Sequence, residues 1–123
     1  MLSWVFGEVK DNKVHLLTDD SASGFLEFEK ARVRWFLSIN YDNIPEHIKA
    51  EGKRTYRSIT LDDEEIEFSS GFTELHTRSY ESILKGEGFG LLEAKSSIQI
   101  VHDIRNAEIS PLKEDYHPFM KNI

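Results

Sequence analysis

The clearest pattern in the chain is an alternation of apolar and polar side chains between Ser23 and Tyr41. Apolar residues recur at every second position from 33 to 41, and residues 24–29 alternate in the same way. This two-residue period is typical of β-strands that bury one face. The segment therefore predicts an antiparallel hairpin that turns at Lys30-Ala31.

A turn at Lys30-Ala31 also predicts the register of the hairpin. It separates apolar pairs on one face from oppositely charged pairs on the other, and each such pair contributes about 0.2–1 kcal/mol. A slip of one residue would mix the two faces. The predicted pairs are Phe28–Val33 and Leu26–Trp35 on the apolar face, with Glu29–Arg32 and Glu27–Arg34 on the charged face.

Two shorter alternating runs, residues 56–61 and 64–68, flank Asp62-Asp63. This dipeptide is a weaker form of the Asp-Gly turn, because Asp must accept a left-handed conformation. The pattern predicts a second hairpin with Ile59 opposite Ile66.

The segments around the two hairpins have weaker patterns. Glu8–Leu17 predicts either another strand pair or an extended edge strand around Asp11-Asn12. Residues 43–53 are polar and contain Pro45 and Gly52, which predicts a surface excursion.

Two helices are predicted after the strands. Apolar residues recur at three- and four-residue spacing over 72–84, followed by Gly86 as a C-cap, and again over 91–105 before Ser110-Pro111. Strands followed by helices in separate blocks predict an α+β fold, an open antiparallel sheet with helices packed on one face. The length of 123 residues fits one domain, here 1–110, with 111–123 as a tail.

The first residues are apolar and end at a glycine. Leu2, Val5 and Phe6 have helical spacing and precede Gly7, which predicts the last turn of a helix. A helix without its beginning suggests that the chain is a fragment. Met1 is then either a genuine start, a native methionine or a cloning artefact.

Composition excludes several classes of function. Twenty-two acidic and fifteen basic residues give a net charge of −7, which disfavours nucleic-acid binding. The chain has no cysteine, so disulfides, thiolate zinc sites and cysteine nucleophiles are excluded. No apolar run approaches the roughly 20 residues of a membrane span. No cluster of residues has the spacing of a metal site. The absence of cysteine is compatible with a cytoplasmic location.

His76 is the strongest candidate for a functional side chain. It shares the predicted buried face of its helix with Leu75, Tyr80 and Ile83, so it either has a partner in the core or opens onto a cavity. His47, His102 and His117 are expected to be structural or surface residues.

Other charged or glycine-rich patterns have simpler interpretations. The acidic run 62–67 is expected to be a solvated turn. The glycines at 86, 88 and 90 follow a predicted helix, so they are interpreted as cap and turn glycines. A glycine-rich phosphate loop would instead follow a strand. Arg32 and Arg34 could bind a phosphate, but Glu27 and Glu29 offer them partners.

Four segments resemble the C-terminal domain of the Gfo/Idh/MocA oxidoreductases, and most closely that of the bacterial UDP-N-acetyl-2-amino-2-deoxyglucuronate dehydrogenases of lipopolysaccharide and O-antigen synthesis. The most specific segment is SGFTELHTRSYESIL followed by GEGFG. The matching residues are 25–39, 56–62, 70–90 and 94–105.

The resemblance implies an NAD-dependent enzyme that oxidises the 3-hydroxyl of UDP-N-acetylglucosaminuronate. The family's N-terminal Rossmann domain binds NAD and carries the catalytic lysine, while the catalytic histidine precedes the motif matched by 2–7; both are therefore expected upstream of Met1. This chain would line the UDP-sugar pocket through His76 and Tyr80 and form a homo-oligomer through its sheet. By itself it would bind no NAD and be inactive. The alternative is a free-standing, non-catalytic binding or assembly module of the same fold.

Overall fold

The computed structural model describes residues 1–70 and 73–123. The chain forms two compact units, one made of Met1–Ile39 with Phe89–Ile123 and the other of Asn40–Gly88. The strands are β1 (Val9–Leu17), β2 (Ser21–Phe28), β3 (Arg32–Ser38), β4 (Ser58–Leu61) and β5 (Glu64–Glu67). The α-helices are α1 (Leu2–Phe6), α2 (Glu46–Ala50), α3 (Leu75–Leu84) and α4 (Leu91–Asn106). Short 3-10 helices span Tyr41–Asn43 and Pro118–Asn122.

The first unit contains a three-stranded antiparallel sheet in the order β1-β2-β3. The predicted hairpin is thus confirmed as β2 and β3. Because β2 is the central strand, side chains on both of its faces are buried, including Ser23 and Phe25 on one face and Leu26 and Phe28 on the other. The α+β fold class is confirmed.

The predicted register of this hairpin is wrong by two residues. The turn is at Glu29-Lys30, where the Phe28 N–H donates to the Ala31 carbonyl at 2.8 Å. Trp35 consequently lies opposite Gly24, where a Cβ would collide with the Trp35 ring. A shift of two residues keeps every side chain on its own face, so alternation alone could not distinguish the two registers. The observed pairs include Leu26–Val33, Glu27–Arg32 and Phe25–Arg34.

β1 is a single strand at the edge of the sheet, which confirms the extended-strand alternative and not the strand pair. Its pairing with β2 shifts register between Val9 and Asp11 and again between Val14 and Leu16. The second irregularity interrupts the alternation, so both Val14 and His15 are buried.

In the second unit, β4 and β5 form the predicted hairpin, with Ile59 opposite Ile66. Asp62 and Asp63 have φ values of 48° and 67°, the left-handed turn expected of this position. The predicted surface excursion is only partly right, because it contains α2, whose Ile48 is 2% exposed. A single buried residue in a polar segment leaves no periodic signal.

Both glycine caps are confirmed. Gly7 has φ 86° and its N–H donates to the Ser3 carbonyl at 3.0 Å, which closes α1. Gly86 has φ 77° and its N–H donates to the Ile83 carbonyl at 3.0 Å, just after α3. Left-handed φ values favour glycine because it has no Cβ. Phe72, the first apolar residue of the predicted helix, lies outside the described residues.

The predicted buried face of α3 is wrong for this chain. None of the residues of α3 is buried, and Leu75, Tyr80 and Ile83 are each at least half exposed. Helical spacing shows which side chains share a face, but it does not show what covers that face. α4 lies beside β1, although Leu91 and Leu92 at its start are exposed.

The C-terminal tail lies against the sheet of the first unit. Ile109 forms a parallel bridge to Val14, and the Ser110 N–H donates to the Val14 carbonyl at 2.7 Å. Further along, Phe119 packs edge-on against Phe36 of β3 with ring centroids 5.6 Å apart, and Met120 is buried. Residues 109–123 thus follow the surface of the sheet.

Candidate functional site

His76 and Tyr80, the predicted substrate-binding residues, lie one turn apart on α3. Both side chains are exposed, with Tyr80 at 67%. Their spacing of four residues places them on the same face of the helix. The structure therefore brings the two polar groups together on an open surface, where they have room to bind a ligand, and their role stays a prediction.

Two of the other histidines have local contacts. The ring of His47 lies edge-on to Tyr56 at 6.3 Å, and the Tyr56 hydroxyl is hydrogen-bonded to the Glu65 carboxylate. Partial burial, together with that hydrogen bond, raises the pKa of Tyr56. His102 accepts a 2.8 Å hydrogen bond from the Asn106 side chain through its carbonyl oxygen.

His102 also borders an open hollow of about 720 Å³ on one face of α4. Its wall is a single helix face, with apolar side chains from Ile98 and Val101 beside the charged Arg105. It is lined by Ser97, Ile98, Val101, His102, Arg105 and Asn106.

The tail contributes a cluster that the sequence analysis did not identify. Lys13 Nζ lies 2.7 Å from Asp115 Oδ2, and Nε2 of the buried His15 lies 3.4 Å from Asp115 Oδ1. The hydrogen bond from Lys13 lowers the pKa of Asp115, and the same bond raises the pKa of Lys13. These residues are about a hundred positions apart, so no local sequence signal connects them.

Two small cavities lie beside this cluster, between β3 and the tail. They share Lys113 and Glu114 and have volumes of about 410 and 390 Å³. Arg34, Tyr116, Pro118 and Lys121 complete the first, and Arg32 and Asp115 complete the second.

The expected ion pairs of these two arginines with glutamates are not found among the described residues, although Arg32 lies opposite Glu27 in the sheet. Among residues 1–70 and 73–123, neither Arg32 nor Arg34 has an ion pair within 4 Å. Glu29 lies in the hairpin turn, where its carboxylate accepts a 3.3 Å hydrogen bond from the Glu8 N–H. Because the register differs by two residues, Arg34 lies opposite Phe25.

The glycines between α3 and α4 do not form a dinucleotide-binding turn. Gly86 ends α3, and Gly90 is the N-cap of α4, where Glu93 accepts a 2.9 Å hydrogen bond from the Gly90 N–H. These glycines therefore join two helices, whereas a dinucleotide fold needs a glycine-rich turn between a strand and a helix. Among the described residues, no group of three or more His, Asp or Glu side chains is arranged to bind a metal ion. No helix described here is long and apolar enough to cross a membrane.

No protein-family model matches the chain. Solved structures do match it. The WlbA (WbpB) dehydrogenase from Thermus thermophilus, in complex with NAD and α-ketoglutarate, is 50% identical over 96% of this chain, with a TM-score of 0.92. The same dehydrogenase in complex with NAD and UDP-GlcNAcA gives 48% identity over 96% of the chain and a TM-score of 0.91.

The chain accordingly has the fold of the C-terminal domain of a sugar-nucleotide dehydrogenase. In particular, it is homologous to the C-terminal domain of the WlbA (WbpB) dehydrogenases. It spans 38% of the length of each of the two matched chains.

Proposed function

We propose that this chain is the C-terminal, substrate-pocket and oligomerisation domain of an NAD-dependent, bacterial UDP-sugar dehydrogenase of the Gfo/Idh/MocA family. The enzyme oxidises the 3-hydroxyl of UDP-N-acetylglucosaminuronate in lipopolysaccharide or O-antigen biosynthesis, in the cytoplasm. The observation that carries this proposal is 50% identity, over 96% of the chain, to a dehydrogenase whose structures hold NAD and, in one case, UDP-GlcNAcA.

The chemistry is divided between this chain and polypeptide outside it. Oxidation of a secondary alcohol needs a base for the hydroxyl proton and a cofactor that accepts hydride. The glycines between α3 and α4 do not form a dinucleotide-binding turn, and the family's catalytic lysine and histidine have no counterpart in this sequence. The chain alone is therefore inactive, and its contribution is to bind and orient the sugar.

His76 and Tyr80 are the side chains that we assign to this task. An imidazole and a phenol one turn apart offer a hydrogen-bond donor and acceptor to the hydroxyl groups of a sugar ring. Their exposure in the present chain supports the assignment, because their polar atoms are available to a ligand. The aromatic face of the Tyr80 side chain would also pack against the sugar ring.

A domain exchange tests the proposal. The segment of the Thermus thermophilus dehydrogenase that aligns with this chain is replaced by the chain, and NADH formation from NAD and UDP-GlcNAcA is measured. We expect turnover by the hybrid enzyme and none by the chain alone. NADH formation by the chain alone would contradict the proposal. A folded hybrid that binds NAD but does not oxidise UDP-GlcNAcA, together with binding of that sugar by the isolated chain, would favour the free-standing binding module.

A further inference from the structure

Four cations converge on the two cavities between β3 and the tail. Arg32 and Arg34 extend from alternate positions of one strand and so share one face of the sheet, while Lys113 and Lys121 come from the tail. The chain as a whole has a net charge of −7, so this concentration of positive charge opposes the overall balance. We define these four residues as the basic cluster.

The described residues form no close ion pairs with the basic cluster. No member of it has an ion pair within 4 Å across the two described ranges. Of the two acidic side chains that line the cavities, Asp115 is already bound to Lys13, which leaves Glu114. Arg32 contacts the face of the Phe25 ring at 5.3 Å and lies opposite Glu27 in the sheet, with no ion pair between them within 4 Å. Unpaired cations around a concave surface attract anions.

Besides burial, the positive charge of Arg34 contributes to the lowered pKa of the neighbouring His117. His117, which packs against Phe36 with ring centroids 5.8 Å apart, has a lowered pKa. Burial is the main cause, and the positive charge of Arg34 adds to it. The potential at this end of β3 thus disfavours a further cation.

We propose that the basic cluster, whose four residues all belong to the first unit, is a binding site for a diphosphate group. Arginine side chains bind phosphate oxygens with two parallel N–H donors, and lysines add point charges around them. A multivalent anion suits the larger cavity better than a single carboxylate because three cations, Arg34, Lys113 and Lys121, line it. The larger cavity is also lined by Tyr116 and Pro118, which form part of its wall.

Isothermal titration calorimetry with inorganic pyrophosphate tests this site in the isolated chain. We expect saturable binding with one site per chain, and we expect the variant R34Q/K121Q to raise the Kd at least about tenfold, the effect of losing charge-assisted hydrogen bonds. The matched control is R78Q/K85Q, which removes two exposed cations of the second unit and should leave the Kd within about twofold.

The ligand series distinguishes the sources of the diphosphate. If the wall formed by Tyr116 and Pro118 contacts a base, UDP binds more tightly than pyrophosphate, and Y116A removes only that difference. Equal affinities identify the site as one for the diphosphate alone. Circular dichroism melts of every variant show whether it is folded.

Three outcomes would overturn the proposal. These are the absence of saturable binding to the folded wild-type chain, an equal loss in R34Q/K121Q and R78Q/K85Q, and equally tight binding of acetate. The equal loss would show a general effect of net charge. Because NAD and UDP-GlcNAcA turnover is not measured, failure here leaves the result of the domain exchange unaffected.

Discussion

Lys13 Nζ and Asp115 Oδ2 lie 2.7 Å apart, although 102 positions separate the two residues in the sequence. The ion pair joins the edge strand β1 to the C-terminal tail. The same carboxylate lies 3.4 Å from Nε2 of His15, whose side chain is fully buried. Asp115 is therefore the residue through which the tail is held on the sheet by charge.

Stability at acidic pH should depend on Asp115. Its pKa in the folded chain is lowered, chiefly by the hydrogen bond from Lys13, below the ordinary value of 3.8. A lowered carboxyl pKa stabilises the fold above the unfolded-state value, and this contribution is lost as the pH falls through the folded-state value. We expect D115N to unfold at lower urea concentration than the wild type at neutral pH, with the difference shrinking as the pH falls below 3.8 towards the folded-state pKa.

The control for D115N is D11N. Asp11 is a more exposed carboxylate, 3.8 Å from the same Lys13 Nζ. Its replacement should change the urea midpoint much less, because exposed ion pairs contribute little. Equal effects of the two substitutions would contradict the importance that we assign to Asp115.

His117 should make stability depend on pH in a different range. Burial, with a smaller contribution from Arg34, lowers its pKa below the ordinary value of 6.5. The unfolded chain therefore binds a proton more readily, and stability declines as the pH falls from about 6.5 towards the folded-state value. In H117N, which keeps an acceptor for the Phe119 N–H, urea titrations should show a weaker decline over this range. An identical pH dependence in both proteins would show that His117 does not contribute.

Ile48 should be essential for the stability of the second unit. It is 2% exposed and is the one buried residue of α2. I48A should lower the free energy of unfolding by about 2–5 kcal/mol, the cost of a large-to-small substitution in a core. Urea denaturation measures this change, with I59A as the control because Ile59 is 40% exposed. A loss in I48A no larger than that in I59A would contradict the assignment.

His76 and Tyr80 should affect substrate binding in the domain-exchanged dehydrogenase. H76Q and Y80F each remove or alter one hydrogen-bonding group, so we expect the KM for UDP-GlcNAcA to rise about tenfold with a smaller change in kcat. S82A, on the other side of α3, is the matched control and should behave as the unmodified hybrid. An unchanged KM in both variants would exclude these residues from the sugar pocket.

The isolated chain should self-associate through its sheet. Leu37 on β3 is 67% exposed and Ile39, just after it, is 86% exposed, which leaves apolar surface in water. Sedimentation velocity should show a dimer or larger species, and L37E should shift the distribution towards the monomer. L84E, an exposed position of the second unit, is the control. A monomeric wild type at high concentration would contradict this prediction.

Much of the fold could be predicted from sequence because the governing interactions are local. The alternation between residues 24 and 41 is sufficient to predict the β2–β3 hairpin, and Asp62-Asp63 is sufficient to predict the turn between β4 and β5. Helical spacing and the glycines at 7 and 86 gave the ends of α1 and α3. These features depend on backbone sterics and on side chains a few positions apart.

Long-range packing decided the remainder. The register of β2 and β3 depends on the space that Gly24 leaves for Trp35, because two registers of the same parity satisfy the alternation equally well. In the same way, the spacing along α3 indicates a shared face for His76 and Tyr80, but the burial of that face depends on what covers it.

The sequence by itself determined most of the elements of this chain and its resemblance to a dehydrogenase family, because periodicity, turns and caps are short-range and similarity is read position by position. Only the tertiary structure decided which distant charges meet. Asp115 lies beside Lys13 and His15, and Lys113 lies beside the arginines of β3, because the tail returns across the sheet. Residues so far apart in the chain are brought together by packing, and that proximity leaves no pattern in the sequence.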